Sequence, residues 1–218
     1  MTSASAARIP IAIADDHPIF RRGLCELVVR DCEVIAETDS GDAVLELATR
    51  RACRVIVLDL AMPGPDGLTV IKSLREMRPD VPVLVLSASP ESQYAYRCIR
   101  AGAAGYLTKT SAPDDLVEAI KQVAAGGLYV SARLGRQLVD DTLRPPARSG
   151  PRANRLSDRE FDVLWLLAAG RSATDIGGRL GISVKTVSTY RRRLLTKLEL
   201  PNSAALIRYA LENGLIGS

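Results

Sequence analysis

The sequence has a single histidine, His17, and only four cysteines, Cys25, Cys32, Cys53 and Cys98, none at CxxC spacing. One imidazole argues against a His-based metal site, and a Ser-His-Asp hydrolase would have to rest all its base chemistry on His17. The cysteines are too few and too scattered for a disulfide scaffold, so a reducing cytoplasm is the expected location. Long apolar runs are also missing. The stretches around Val55–Leu58 and Val81–Leu86 fall far short of the roughly 18 residues that a membrane span needs, so no membrane partner is expected. Residues 1–10 carry one Arg and no apolar h-region, which argues against a secretory signal.

What remains is an ordinary globular composition. The 218 residues are 47% hydrophobic and 25% charged, which argues against disorder, collagen or coiled coil and suggests one large domain or two small ones. The net charge of +4 conceals an asymmetry. Residues 1–130 hold 14 Lys/Arg against 17 Asp/Glu, a net of −3, and residues 131–218 hold 15 against 8, a net of +7. Two modules with different partners follow, the basic one being the candidate for nucleic acid.

The first module alternates short apolar strands with amphipathic helices. Strands are expected at Ile9–Ala14, Val34–Ala36, Val55–Leu58, Val81–Leu86 and Ala104–Leu107. Helical patterns follow each, through Phe20, Leu24, Leu27 and Val28, through Ala43–Ala48, through Leu68, Ile71 and Leu74, over about Gln93–Ala101, and through Leu116, Ile120 and Val123. Continuous apolar strands alternating with such helices predict a parallel sheet covered on both faces, an α/β doubly wound domain and not an eight-fold barrel. A further helix is expected over 131–141. The stretch 142–154, with three prolines, a glycine and no apolar period, then reads as a linker. Beyond it there is no strand signal. Ser157 with Glu160 forms a capping-box pattern that opens a helix ending at Gly170, a short helix spans about Ala173–Leu180 up to Gly181, Ser183 caps a third helix reaching Leu198, and Pro201-Asn202 starts a fourth that ends near Gly214.

Ligands of open α/β sheets bind at the carboxyl ends of the strands, and here those ends are acidic. The first strand runs into Asp15-Asp16 and the third into Asp59. Two like charges at about 4 Å repel by about 4 kcal/mol at an effective dielectric near 20, so three carboxylates call for a cation. Hard oxygen ligands with open positions suit Mg²⁺. Ser87 ends the fourth strand and Lys109 follows the fifth, adding a hydroxyl and an ammonium at the same rim. This is equipment for phosphoryl transfer onto an aspartate. Taken singly, each residue has a plainer reading: Asp16 as a helix cap, Lys109 as a solvated charge, His17 as the start of a helix before Pro18. The combination at one edge favours the chemistry.

Residues 11–17 (IAIADDH), 58–67 (LDLAMPGPDG), Ser87 and 105–109 (GYLTK) closely resemble the receiver domain of two-component response regulators, over about residues 8–127. The resemblance implies a flavodoxin-like fold. It implies that Asp59 accepts a phosphoryl group from a histidine kinase, and that Asp15, Asp16, Asp59 and the backbone carbonyl of Ala61 hold Mg²⁺. It further implies that Lys109 pairs with the phosphoryl oxygens and that Ser87 and Tyr106 form the switch. Thr110 stands where many relatives have Asp or Pro.

In the basic module, the helix from Ser183 to Leu198 places Leu194 and Leu198 within about 20° of Val187, with Tyr190 and Leu195 flanking them. Lys185, Thr189, Arg192 and Thr196 fall opposite, with Ser188 and Arg193 beside them. A basic, hydroxylated face opposite an apolar stripe suits a helix in a major groove, and the short helix before it completes a helix-turn-helix. Residues 156–160 (LSDRE), 169–172 (AGRS) and 180–188 (LGISVKTVS) strongly resemble the LuxR-type (NarL/FixJ) four-helix DNA-binding domain over about residues 153–216, with 128–152 left as linker helix and Pro-rich linker. That resemblance implies that Ser188, Thr189 and Arg192 face bases while Lys185 and other basic residues such as Arg193 hold phosphates. Glu160 would anchor the recognition helix, and the last helix would pair two domains on a two-fold operator. Promoter DNA, a homodimer and RNA polymerase follow as partners, for a regulator and not an enzyme. Gly177-Gly178 depart from the pattern at about 1 kcal/mol each relative to Ala, and Tyr190 stands where a His is common. Two rival readings stand beside this one. A haloacid-dehalogenase-type phosphatase wants a second acid two residues after its nucleophile, and Asp59 is followed by Leu60 and Ala61. The other is a helical domain that binds RNA or protein instead of DNA.

Overall fold

The computed structural model describes residues 7–50, 53–88, 91–111, 113–143 and 156–212. Its contacts divide the chain into two units, residues 1–136 and 137–218.

In the first unit, strands β1 (Ile9–Ala14), β2 (Cys32–Thr38), β3 (Val55–Leu58), β4 (Val83–Ser87) and β5 (Gly105–Thr108) alternate with helices α1 (Pro18–Val28), α2 (Gly41–Arg50), α3 (Gly67–Met77), α4 (Glu91–Ala101) and α5 (Pro113–Ala124). The sheet is wholly parallel in the order β2-β1-β3-β4-β5, so β1 and β3 are neighbours near its centre. Both faces are covered, which is why β3 is buried at all four positions. One face packs Ile11, Ile13, Val57, Leu84 and Leu86 against Leu24 and Val28 of α1 and Leu116, Ile120 and Val123 of α5. Cys32, Cys53 and Cys98 are buried with the core and all four cysteines are free thiols, with burial pushing Cys32 up to about 11.

Two strands differ from their apolar runs. β2 is an edge strand with only Cys32 fully buried, so its apolar signal marks a fraction of its length. Val81 lies outside β4, because its N–H turns back to the Arg78 carbonyl and Pro82 has no N–H to pair. Past α5, Tyr129 lines the outer edge of β5, accepting from the Tyr106 N–H at 3.0 Å and donating to the Ala104 carbonyl at 2.9 Å. Helix α6 (Ala132–Leu143) runs through Thr142 and Leu143, which the composition assigned to the linker; the rest of that linker lies outside the described residues.

The second unit holds α7 (Asp158–Ala168), α8 (Ala173–Leu180), α9 (Val184–Leu198) and α10 (Ser203–Glu212). Ser157 and Glu160 form the expected capping box, and Ser172 with Asp175 forms a second. Gly181 ends α8 in the left-handed region at φ 63°, which suits a residue without Cβ. The two glycines of α8 differ. A Cβ on Gly177 would lie 2.7 Å from the Ile182 carbonyl oxygen, whereas one on Gly178 would meet open space. Gly177 is therefore what lets the α8–α9 turn fold back closely, and only Gly178 is a pure helix cost. Gly214, where the fourth helix was expected to stop, lies outside the described residues.

Candidate functional site

The adjacency of β1 and β3 brings the acids together. Asp15 and Asp59 are 1% and 2% exposed, and the Asp59 N–H donates to the Ala14 carbonyl at 2.8 Å, which joins the two strand ends. The Lys109 backbone N–H donates to the Ser87 carbonyl at 2.8 Å and fastens the end of β5 to the end of β4. From there Lys109 Nζ reaches 2.6 Å from Asp15 Oδ2 and 2.8 Å from Asp59 Oδ2, while lying 4.5 Å from the centroid of the Phe20 ring. Burial by itself would pull its pKa down. The ion pairs with Asp15 and Asp59 outweigh that and hold the ammonium above its ordinary value.

One ammonium leaves three carboxylates incompletely neutralised. Asp16 Oδ1 is buried without a hydrogen-bond partner; His17 Nδ1 lies 2.7 Å away, but not in hydrogen-bonding geometry. Ligand atoms of Asp15, Asp16, His17 and Asp59 all lie within 4.8 Å of one another. Surplus negative charge, hard oxygen donors and an orphaned carboxylate oxygen fit a divalent cation of the Mg²⁺ type. Ala61 is exposed beside this cluster, and its N–H donates to Asp59 Oδ1 at 3.2 Å.

Ser87 and Tyr106 are both buried, at 2% and 3% exposure, and the Tyr106 phenol is hydrogen-bonded with the Ser87 hydroxyl. Burial, the larger effect, pushes the phenol well above its ordinary pKa, so it is neutral. Thr110 Oγ1 lies 3.0 Å from Thr108 Oγ1, and the Lys109–Thr110 peptide is trans.

Three residues outside the expected site set also stand here. His17 does occupy the N-cap of α1 before Pro18, but its imidazole also touches the acids, a proximity signalled by its place next to the acidic pair. Arg21 donates to the Asp15 carbonyl and lies 3.2 Å from Glu37, one helical turn beyond His17. Phe20, placed by its apolar character on the helix, lies under Lys109.

In the second unit, Val187, Leu194 and Leu198 of α9 are buried, while Lys185, Ser188, Arg191, Arg192 and Arg193 are exposed. Thr189 is half-buried and its hydroxyl donates to the Lys185 carbonyl at 3.1 Å, which engages its proton and leaves the oxygen as an acceptor. The Arg193 guanidinium lies 5.9 Å from the centroid of the Tyr190 ring. Lys197 Nζ donates to Glu160 Oε2 at 2.7 Å and the Ser157 N–H donates to the same oxygen at 2.8 Å. Burial raises the Glu160 pKa, but these bonds more than reverse it and hold the carboxyl below its ordinary value. Among the described residues no helix is long and apolar enough to cross a membrane.

A parallel α/β unit with a lysine-bridged acidic rim, in one chain with a helix-turn-helix that turns a basic face outward, defines a regulator that couples an acidic input site to DNA. Residues 11–121 match the response regulator receiver domain, and residues 154–210 match the luxR family of bacterial regulatory proteins. The chain belongs to the DNA-binding response regulators of two-component systems, with the receiver and LuxR-type domains of the NarL/FixJ class. It is 32% identical to the response regulator GacA of Pseudomonas aeruginosa over 95% of this chain and 98% of GacA. It is 38% identical to BvgA of Bordetella pertussis over 94% of this chain and 98% of BvgA. A solved structure of the Salmonella typhimurium response regulator RcsB matches with a TM-score of 0.69 at 27% identity, covering 95% of this chain and 99% of that one. RcsB bound to the promoter rprA in the presence of phosphomimetic BeF3⁻ matches at 0.65 and 28%, covering 93% and 98%.

Proposed function

We propose that a sensor histidine kinase phosphorylates this regulator on Asp59, and that the modification controls promoter binding by α9. The observation that carries the reading is Lys109 bridging the buried Asp59 and Asp15 at the carboxyl edge of the sheet. An Asp59 oxygen forms the new P–O bond as the P–N bond to the kinase imidazole breaks; that nitrogen keeps the electron pair and takes up a proton. Lys109 then follows the charge onto the phosphoryl oxygens. Asp15, Asp16, Asp59 and the Ala61 carbonyl would hold Mg²⁺, which would supply positive charge against those oxygens. Ser87 answers the new group and Tyr106, its hydrogen-bond partner, carries the change to the surface.

The receiver takes residues 8–127, the linker 128–152 and the DNA-binding domain 153–216. On α9, Ser188, Thr189 and Arg192 face bases, and Lys185 and Arg193 hold phosphates. The solved promoter complex of RcsB supports DNA as the ligand. On α10, Ile207 and Leu211 stand exposed one turn apart, at 38% and 47%, which supports pairing of two copies on a two-fold site. RNA polymerase is the further partner of the bound dimer. The protein works in the cytoplasm as a regulator and turns over no external substrate.

The test is labelling by acetyl phosphate with Mg²⁺ in the full chain. Asp59→Asn, which keeps the size and removes the nucleophile, is expected to abolish acid-labile phosphate, and Asp16→Ala to weaken labelling. Undiminished labelling of Asp59→Asn overturns the assignment.

A further inference from the structure

We infer that Arg159 is a positioning residue for the recognition helix, setting the base-facing half of α9 through the Leu180 carbonyl. The inference rests on the proposed DNA-reading face of α9 and adds a determinant that lies outside that face.

The argument starts from how unevenly α9 is anchored. Leu194 and Leu198 hold its C-terminal half in the core, and Lys197 adds the bond to Glu160. Between Val184 and Tyr190 only Val187 is buried. Yet that first half carries Lys185, Ser188 and Thr189, with Arg192 one turn beyond. The half that must be aimed is thus the half with fewer apolar contacts to aim it.

The missing constraint enters through the turn. Leu180 ends α8, where the last carbonyls have no partner in their own helix. The Gly181 and Ile182 N–H groups both turn back to the Gly177 carbonyl, and the Arg159 guanidinium donates to the carbonyl of Leu180. A cation at a helix C-terminus also meets the negative end of the helix dipole. Only Gly181, Ile182 and Ser183 then separate Leu180 from α9, and Ser183 is already committed to capping the Thr186 N–H at 3.1 Å. A turn this short has little slack, so a fixed Leu180 carbonyl fixes where α9 begins. The other end of the tie is equally firm. Arg159 is half-buried in the first turn of α7, inside the capping box of Ser157 and Glu160. Neighbouring residues of one turn therefore hold α9 at both ends, Arg159 through the α8–α9 turn and Glu160 through Lys197.

The experiment uses the full-length chain, a duplex that the wild type enriches from a random-sequence pool, and a scrambled duplex of equal length. Arg159→Met keeps the apolar stem and removes every donor. It is expected to weaken binding to the enriched duplex about tenfold, the scale of one charge-assisted hydrogen bond. Scrambled DNA is expected to bind nearly as before, with an unchanged salt slope. Arg159→Lys, which can still reach a carbonyl, should restore most of the selectivity. If Arg159→Met does not fold, Arg159→Gln, whose amide falls short of the carbonyl, is measured in its place. Equal losses on both duplexes with a shallower salt slope would make Arg159 a phosphate contact and overturn the inference, as would unchanged selectivity in a folded variant. A wild type that enriches no sequence would instead remove the DNA-reading face itself, and the role of Arg159 with it.

Discussion

Lys109 offsets part of the charge of the acidic rim: Asp15 and Asp59 are buried side by side, and its ammonium enters between them at 2.6 and 2.8 Å. Removing one partner of such a cluster leaves the others buried and unpaired, which is why the lysine is structural before it is chemical. Glu160 is the corresponding residue of the second unit. Its carboxyl titrates below its ordinary value because Lys197 and Ser157 hold the ionised form against the opposing effect of burial. A carboxyl with a lower pKa folded than unfolded binds fewer protons in the native state, so acid favours unfolding. Its contribution is full above the unfolded value near 4.3 and is lost as pH falls through the lower folded value. Thermal melts of the DNA-binding unit from pH 6 downward are expected to show this loss, and Glu160→Gln is expected to start less stable and vary less over that range. A parallel pH dependence in both proteins would assign the acid sensitivity elsewhere.

Helix α8 separates two glycines that composition alone treats alike. Gly178→Ala adds a methyl in open space within a helix and is expected to stabilise by about 1 kcal/mol. Gly177→Ala sets a Cβ against the Ile182 carbonyl at 2.7 Å and is expected to destabilise despite the better helix propensity. Urea unfolding of the two variants decides it, since equal gains would mean the α8–α9 turn yields freely. In α9 the proposed distinction lies between residues that choose a sequence and residues that hold the backbone. Arg192→Ala is expected to cost about 1–3 kcal/mol on a specific site and relax one base position per half-site. Lys185→Ala should weaken all duplexes alike and flatten the salt dependence by about one unit. Titrations across a salt series test both, and equal losses for Arg192→Ala on specific and scrambled DNA would reduce that residue to a phosphate clamp.

At the scale of the molecule, the acidic front and basic back of the charge pattern correspond to two units with separate chemistries. The coupling proposed between them rests on Ser87 and Tyr106, a buried hydrogen-bonded pair whose Tyr106 N–H donates to the Tyr129 carbonyl at the β5 edge. Ser87→Ala leaves Asp59 and its acidic neighbours intact. The variant is expected to accept phosphate from acetyl phosphate but to gain less DNA affinity from it, because an equilibrium shifts only as far as the two states differ in their contacts. DNA binding measured before and after phosphorylation gives the answer, and an undiminished gain in the variant would place the coupling elsewhere.

Local physics wrote much of this protein into its sequence. Strands β1 and β3, the bounds of α8 and α9, the Ser157–Glu160 box and the Gly181 stop depend on apolar period, capping and left-handed backbone, all of which are local. The acidic rim was legible too, because strand ends in a parallel sheet share one edge. Edge strand β2 and the end of α6 were less so: an edge strand shows fewer buried positions, and polar Thr142 gives no apolar signal for the turn it completes. Only the tertiary structure decided that Lys109 lies between Asp15 and Asp59, that Phe20 and Arg21 belong to the site, and that Gly177 is required where Gly178 is spare. It alone joined Arg159 to Leu180, and it supplied Lys197 as the partner through which Glu160, already expected to anchor that helix, holds α9. These are contacts between residues distant in the chain, or between a side chain and a backbone brought back to it, and no periodicity encodes which of many long polar side chains will meet.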